Sequence, residues 1–224
     1  MHVFCSTALQ PVMLDCIPDF ERRTTLKVTF AFGATADLRK QIERDVPGDV
    51  AVLAQEALHN LAALGSIVAG TRVALARSGI AVATRAGQPK PAIGTPEAFR
   101  RALLSARSVA HSKTGASGIY FAQLIERLGI TEQMKGRLIS TESKPVGEAV
   151  AAGEAELGIQ QLSELMPVPG IEISGPLPGN LQKFTLFEAA VLSRAHEKQA
   201  AAALLEHIAA TSPPLLDRYG LEPP

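Results

Sequence analysis

The chain has no tryptophan, only two tyrosines and two cysteines, and an aromatic content of 4% over 224 residues. Two thiols, Cys5 and Cys16, cannot build a disulfide framework and lack metal-ligand spacing. They read as small buried hydrophobes. Neither sign of charge is in excess, since Lys plus Arg and Asp plus Glu both number 22. A neutral chain has no long-range field for nucleic acid or an anionic membrane, so any anion site must be local. No apolar run reaches the roughly 18 residues of a membrane span. The opening Met1-His2-Val3-Phe4 enters a strand pattern at once, with no basic stretch, apolar stretch or small-residue cleavage site ahead of it. That start predicts a cytoplasmic protein, or a periplasmic one if a leader has been trimmed. No His/Asp/Glu cluster argues for a metal and no nucleophile motif is present, so neither metal nor cofactor is expected.

What is present is an apolar content of 46% and enough chain to bury a real core. Apolar runs that suit buried strands alternate with helical patterns: Val3 to Ser6 then Leu9 to Arg22, Leu26 to Ala31 then Thr35 to Arg44, Asp49 to Ala54 then Glu56 to Leu64. This alternation predicts an α/β protein with a parallel sheet covered on both faces. Two further strand runs, Arg72 to Ala76 and Ile80 to Arg85, precede the stiff Gly87-Gln88-Pro89-Lys90-Pro91, the best candidate for a first crossing between lobes. A second α/β series follows. Thr95-Pro96 opens a helix, Ser108 to Ala110 forms a strand, Ile119 to Leu128 a helix, and Glu156 to Gln160 a strand. The apolar Phe184 to Leu192 suits a return to the first lobe. The predicted lobes are residues 1–82 with 188–224, and 83–187.

Between strand and helix of the second series lies His111-Ser112-Lys113-Thr114-Gly115-Ala116-Ser117-Gly118. A small-residue loop entering a helix presents free backbone N–H groups to an anion. Ser112, Thr114 and Ser117 add hydroxyls, Lys113 a positive charge, and His111 a group that titrates near neutrality. It is not a P-loop, because the glycine spacing and the Gly-Lys-Ser/Thr ending are missing. An ordinary strand-to-helix connection with Ser117 as N-cap is the alternative. Other strand ends carry Cys5-Ser6-Thr7, Thr35, Arg77 and Gln160-Gln161, where α/β sheets bind their ligands.

Three segments then fall in matching order: Phe4-Cys5-Ser6-Thr7-Ala8-Leu9, Phe32-Gly33-Ala34-Thr35-Ala36-Asp37-Leu38 with Gln41-Ile42, and Ala152-Gly153-Glu154-Ala155-Glu156-Leu157-Gly158-Ile159. With the closing Tyr219-Gly220-Leu221, the chain resembles the molybdate-binding proteins of ABC transporters. The resemblance implies a two-lobed type II periplasmic-binding fold with a ligand cleft between lobes, in which hydroxyl and amide donors hold a tetrahedral oxyanion. At the matching positions Ala8 stands in place of a usual serine beside Ser6 and Thr7. Thr35 keeps a hydroxyl, Gln161 replaces an expected tyrosine, and Ser117 and Val146 supply backbone N–H groups. An oxyanion atom left without its donor costs about 1–3 kcal/mol, which disfavours molybdate. A divergent branch, marked by Arg77-Ser78, Ala86-Gly87-Gln88-Pro89-Lys90-Pro91, Gly115-Ala116-Ser117-Gly118-Ile119 and Leu157-Gly158-Ile159-Gln160-Gln161, resembles isomerases of the aconitate type.

Two readings follow. In the first, the protein is a cofactor-free isomerase that moves a proton, and with it a double bond, in a small unsaturated di- or tricarboxylate. His111 is then the proton-transferring group, and Arg77 and Lys113 neutralise carboxylates and lower the histidine's pKa. Ser6, Thr7, Thr35, Ser112, Thr114, Ser117, Val146, Gln160 and Gln161 line the ligand, and Cys5 and Glu188 are the reserve candidates for the base. In the second, it is a binding or sensing protein for a small anion without chemistry, and only then would an ABC permease be its partner. Arg77 and Lys113 also have plain readings as solvated strand-end and loop cations.

Overall fold

A computed structural model describes residues 1–142 and 144–224. The strands are β1 (His2–Ser6), β2 (Thr29–Gly33), β3 (Val50–Ala54), β4 (Val73–Arg85), β5 (Val109–Ser112), β6 (Leu138–Thr141), β7 (Leu157–Gln161), β8 (Ile171–Pro176) and β9 (Phe184–Val191). The α-helices are α1 (Gln10–Thr24), α2 (Thr35–Glu43), α3 (Gln55–Ala63), α4 (Pro96–Ser105), α5 (Ala116–Arg127), α6 (Thr131–Met134), α7 (Val146–Ala151), α8 (Leu162–Leu165) and α9 (Lys198–Thr211). The chain forms two compact units, Met1–Arg77 with Thr185–Pro224, and Ser78–Phe184.

In the first unit β1 lies between β2 and β3, parallel to both, and β9 pairs antiparallel with β3. The side chains of β1 alternate between two cores. Val3 and Cys5 join a cluster with α1 and α9, and Phe4 joins one with α2 and α3. A strand buried on both faces must be apolar throughout, which is why these segments read as unbroken runs. The expectation of a parallel sheet needs correction here, because β9 runs the other way. Glu188 on β9 is buried among these apolar neighbours. Arg72 Nε donates to it at 2.9 Å and Gln55 Nε2 at 2.8 Å.

In the second unit β5 lies between β6 and β7, parallel to both, while β4 pairs antiparallel with β7 and β8. Val109 and Ile159 pack with Phe121 and Leu124 of α5 on one face. Ala110 packs with Val146 and Val150 of α7 on the other. Gly158 lets α7 close on β7, since a Cβ there would stand 2.8 Å from Val150 Cγ2 and 3.0 Å from Val146 Cγ1.

The two expected runs before Gly87 form one strand, β4. Ser78, in the middle, is fully buried, and its hydroxyl lies 3.2 Å from that of Ser163, so the polar pair satisfies itself inside the sheet. The units divide at Arg77/Ser78 and Phe184/Thr185, inside β4 and β9, rather than at 82 and 188. Hydropathy runs on through both crossings and carries no mark of them. Gly87 to Pro91 is not the crossing; it lies within the second unit.

Candidate functional site

The sequence-expected donors stand at the carboxyl ends of the parallel strands of each unit. In the first unit, Ser6 ends β1 and is buried, and Thr7 opens a single 3-10 turn. Thr35 is the first residue of α2, and its Oγ1 accepts the Ala54 N–H at 3.4 Å. In the second unit, Ser112 ends β5, Gln161 ends β7, and Val146 opens α7. The helices that begin here, α2, α3, α5 and α7, start after Ala34, Ala54, Gly115 and Pro145, and none has a side-chain cap. By contrast, α4 is capped in the usual way, Thr95 Oγ1 accepting the Ala98 N–H at 3.2 Å. Uncapped N-termini keep their first N–H groups available to an anion.

The eight-residue loop is built tightly. Ser112 Oγ accepts the Gly115 N–H at 2.9 Å and closes the turn into α5. Gly118 lies directly on Ser112, where a Cβ would meet the carbonyl oxygen at 1.7 Å. Ser117, in the first turn of α5, is 1% exposed, and its hydroxyl has no hydrogen-bond partner among the described residues. Such an orphan needs an explanation, and a polar ligand at the α5 N-terminus supplies one. Thr114 is half-buried; Lys113 is exposed and pairs with the exposed Glu142, which raises the lysine's pKa.

His111 lies on β5 with its ring 5.7 Å from that of Phe121. Nδ1 is 3.1 Å from the Ser112 carbonyl oxygen. A carbonyl can only accept, so Nδ1 carries the proton and Nε2 the lone pair. Nε2 is 3.3 Å from Ser140 Oγ on β6, a hydroxyl free to donate to it. Burial lowers the histidine's pKa, and the Ser112 carbonyl raises it to a smaller extent. The expected cause, nearby cations, is corrected to burial: Lys113 is engaged with Glu142 and Arg77 with Glu222. At neutral pH the ring is therefore neutral, a base with one defined tautomer.

Strand parity sorts the two glutamines. Gln161 pairs with Ile80 and lies on the same face as Ile159 and His111. Gln160 pairs with Ala81 and lies on the opposite face, its Oε1 buried without a partner among the described residues. Ser140 was not anticipated. Its segment is a four-residue edge strand with an alternating, mostly exposed pattern, and only the register opposite His111 reveals it.

Arg77 is committed elsewhere. Its Nε and Nη2 donate to Glu222 Oε2 at 2.9 and 2.8 Å, and the two backbones bond in both directions at 2.9 Å. Both side chains are about half exposed, so Arg77→Ala is expected to cost less than about 1 kcal/mol of stability. A loss near the 1.5–3 kcal/mol of a charged hydrogen bond, seen in carboxylate titrations of that variant, would restore the expected clamp. The reserve bases are poorly suited: burial pushes the Cys5 thiol far up, and Glu188 is held by Arg72 and Gln55.

A histidine whose pKa falls on folding binds its proton more tightly in the unfolded chain. Stability should then decline as pH drops below about 6.5 and level off below the folded-state value. His111→Asn should flatten that part of the curve. An unchanged slope in denaturant titrations between pH 7 and pH 5 would contradict the burial-driven shift.

The fold and these strand-end donors define a two-lobed α/β protein of the periplasmic-binding class. The periplasmic molybdate-binding protein of Azotobacter vinelandii superposes with a TM-score of 0.82 at 20% identity, over 100% of this chain and 99% of that one. The sulfate-binding protein SubI of Mycobacterium tuberculosis does so with a TM-score of 0.81 at 16% identity, over 100% and 86%. Residues 1–222 match the bacterial extracellular solute-binding proteins, and the chain belongs to that family. It is 36% identical to an aconitate isomerase from Pseudomonas, over 100% of this chain and 87% of the relative. It is 29% identical to the molybdate-binding protein ModA of Azotobacter vinelandii, over 88% and 79%.

Proposed function

We propose that this protein is an isomerase that shifts an allylic proton in a small unsaturated di- or tricarboxylate, with aconitate as the first candidate because a relative 36% identical over the full chain is an aconitate isomerase. The observation that carries the reading is His111, a buried neutral imidazole of fixed tautomer, one residue from a loop that ends in an uncapped helix and an orphan hydroxyl. In aconitate a CH2 group and a vinylic CH flank one carbon. Nε2 removes a proton from the CH2, the double bond shifts to join the former CH2 carbon to the central carbon, and a proton, exchanged with solvent while on Nε2, is returned to the former vinylic carbon. Nothing is oxidised or reduced, so the step requires no redox cofactor. Negative charge builds on the conjugated carboxylates during the shift, where Ser117 Oγ and the first N–H groups of α5 would stabilise it. Within the same unit, the Val146 N–H at the start of α7 and the Gln161 amide at the end of β7 are assigned to ligand retention.

A second reading, anion binding without turnover, is favoured by the family itself and by the molybdate-binding relatives. Against molybdate stands Ala8, buried and without a polar side chain. Incubating the protein with trans-aconitate and following the cis isomer by proton NMR separates the two. Catalytic conversion supports the isomerase; stoichiometric binding with no conversion supports the binding protein.

A further inference from the structure

At the amino end of β5 and β7, the second unit has an open basin of about 860 Å³ lined by Arg85, Lys90, Arg101 and Arg107 against a single carboxylate, Glu156. It is separate from the His111 loop within the same unit. Ser108 borders the basin and Ser112 ends the strand that follows, about 13 Å along it at strand rise.

We propose that this basin binds a small polyanion carrying at least two phosphate or carboxylate groups. Four cations meet two acids here, Glu156 in the lining and Glu172 beside Lys90, a local excess of positive charge in a chain whose charges balance as a whole. Arg85 and Arg101 form no ion pair among the described residues. Arg107 meets Glu156 at 3.1 Å and Lys90 meets Glu172 at 3.3 Å, all on exposed side chains. Exposed pairs of this kind contribute little, so both cations can turn to a ligand at small cost. The guanidinium groups suit bidentate capture of phosphate or carboxylate. Their spread around a basin of this volume calls for more than one anionic group, since one could not meet them all. Gly153, at φ +77°, stands beside the Arg85 head group, whose Nη1 would be in ordinary contact with a Cβ there, at 3.4 Å.

The test is calorimetric titration of the full chain at 0.15 M salt with pyrophosphate and, separately, with tricarballylate. Arg85→Gln and Arg101→Gln are the variants; both side chains are exposed, and folding is checked by circular dichroism. Pyrophosphate should bind with a Kd below about 1 mM, and each variant should weaken it roughly ten- to hundredfold. His111→Asn should leave it unchanged. If only a tricarballylate event independent of His111 is lost in the variants, the basin takes polycarboxylates rather than phosphates. No heat with either probe, or affinities unchanged in both arginine variants, would overturn the site.

Discussion

Replacing His111 by Asn is expected to lower turnover of an unsaturated tricarboxylate by roughly 10²–10⁴-fold, the usual contribution of a positioned general base. The loss should fall on kcat, because Asn keeps a polar side chain of similar reach but cannot carry a proton between two carbons. Ligand retention should change much less, since the donors assigned to it are Ser117, the α5 N-terminus and the strand-end groups. The pH profile gives an independent check. Burial holds the imidazole neutral, so the acid limb of kcat should lie below the ordinary histidine value of about 6.5. A variant with wild-type kcat would move the base elsewhere in the site.

The second large effect concerns the loop rather than the base. Gly118→Ala places a methyl 1.7 Å from the Ser112 carbonyl oxygen, a backbone atom that cannot swing aside as a side-chain tip can. Either α5 retreats from β5 or the Ser112 turn opens. Overpacking of this severity is expected to cost about 3 kcal/mol or more, roughly 6–12 °C of melting temperature in a chain of this size. The same displacement moves Ser117 and the α5 N-terminus, so carboxylate affinity should fall with it. Gly115→Ala should be milder, since the crowding atom is the Ser112 hydroxyl at 2.8 Å, the end of a short side chain. A Gly118→Ala protein that melts with the wild type would show that the helix does not sit on the strand end as described.

The alternation of apolar runs with 3.6-residue periodicity announced both α/β series, and β1, β3, α2 and α3 stand within a residue or two of their expected bounds. Those elements bury whole faces, and burial is what hydropathy reports. Strand direction is not written in a hydropathy pattern, so the antiparallel places of β4 and β9 were not legible. The runs Arg72 to Ala76 and Ile80 to Arg85 read as two strands because the polar residues between them interrupt the apolar pattern, and the buried Ser78 that joins them needs a partner. That partner, Ser163, lies 85 positions away in the sequence. The same distance problem hid the pairing of Arg77 with Glu222. At the site, the segment from His111 to Gly118 was legible as a strand-to-helix loop from its small residues, but the seat of Gly118 on the Ser112 carbonyl was not. Ser140 was not, because a short edge strand with exposed residues leaves little periodic signal. The fixed tautomer of His111 is likewise a matter of two neighbours, Ser112 and Ser140, whose roles only three-dimensional register supplies.

The most direct measurement of the central claim is proton NMR of trans-aconitate with the protein in heavy water. The account predicts deuterium entering both the methylene and the vinylic positions as the cis isomer appears, with both processes suppressed together in His111→Asn. Full occupancy by aconitate with no deuterium in either position would contradict it and leave a binding protein.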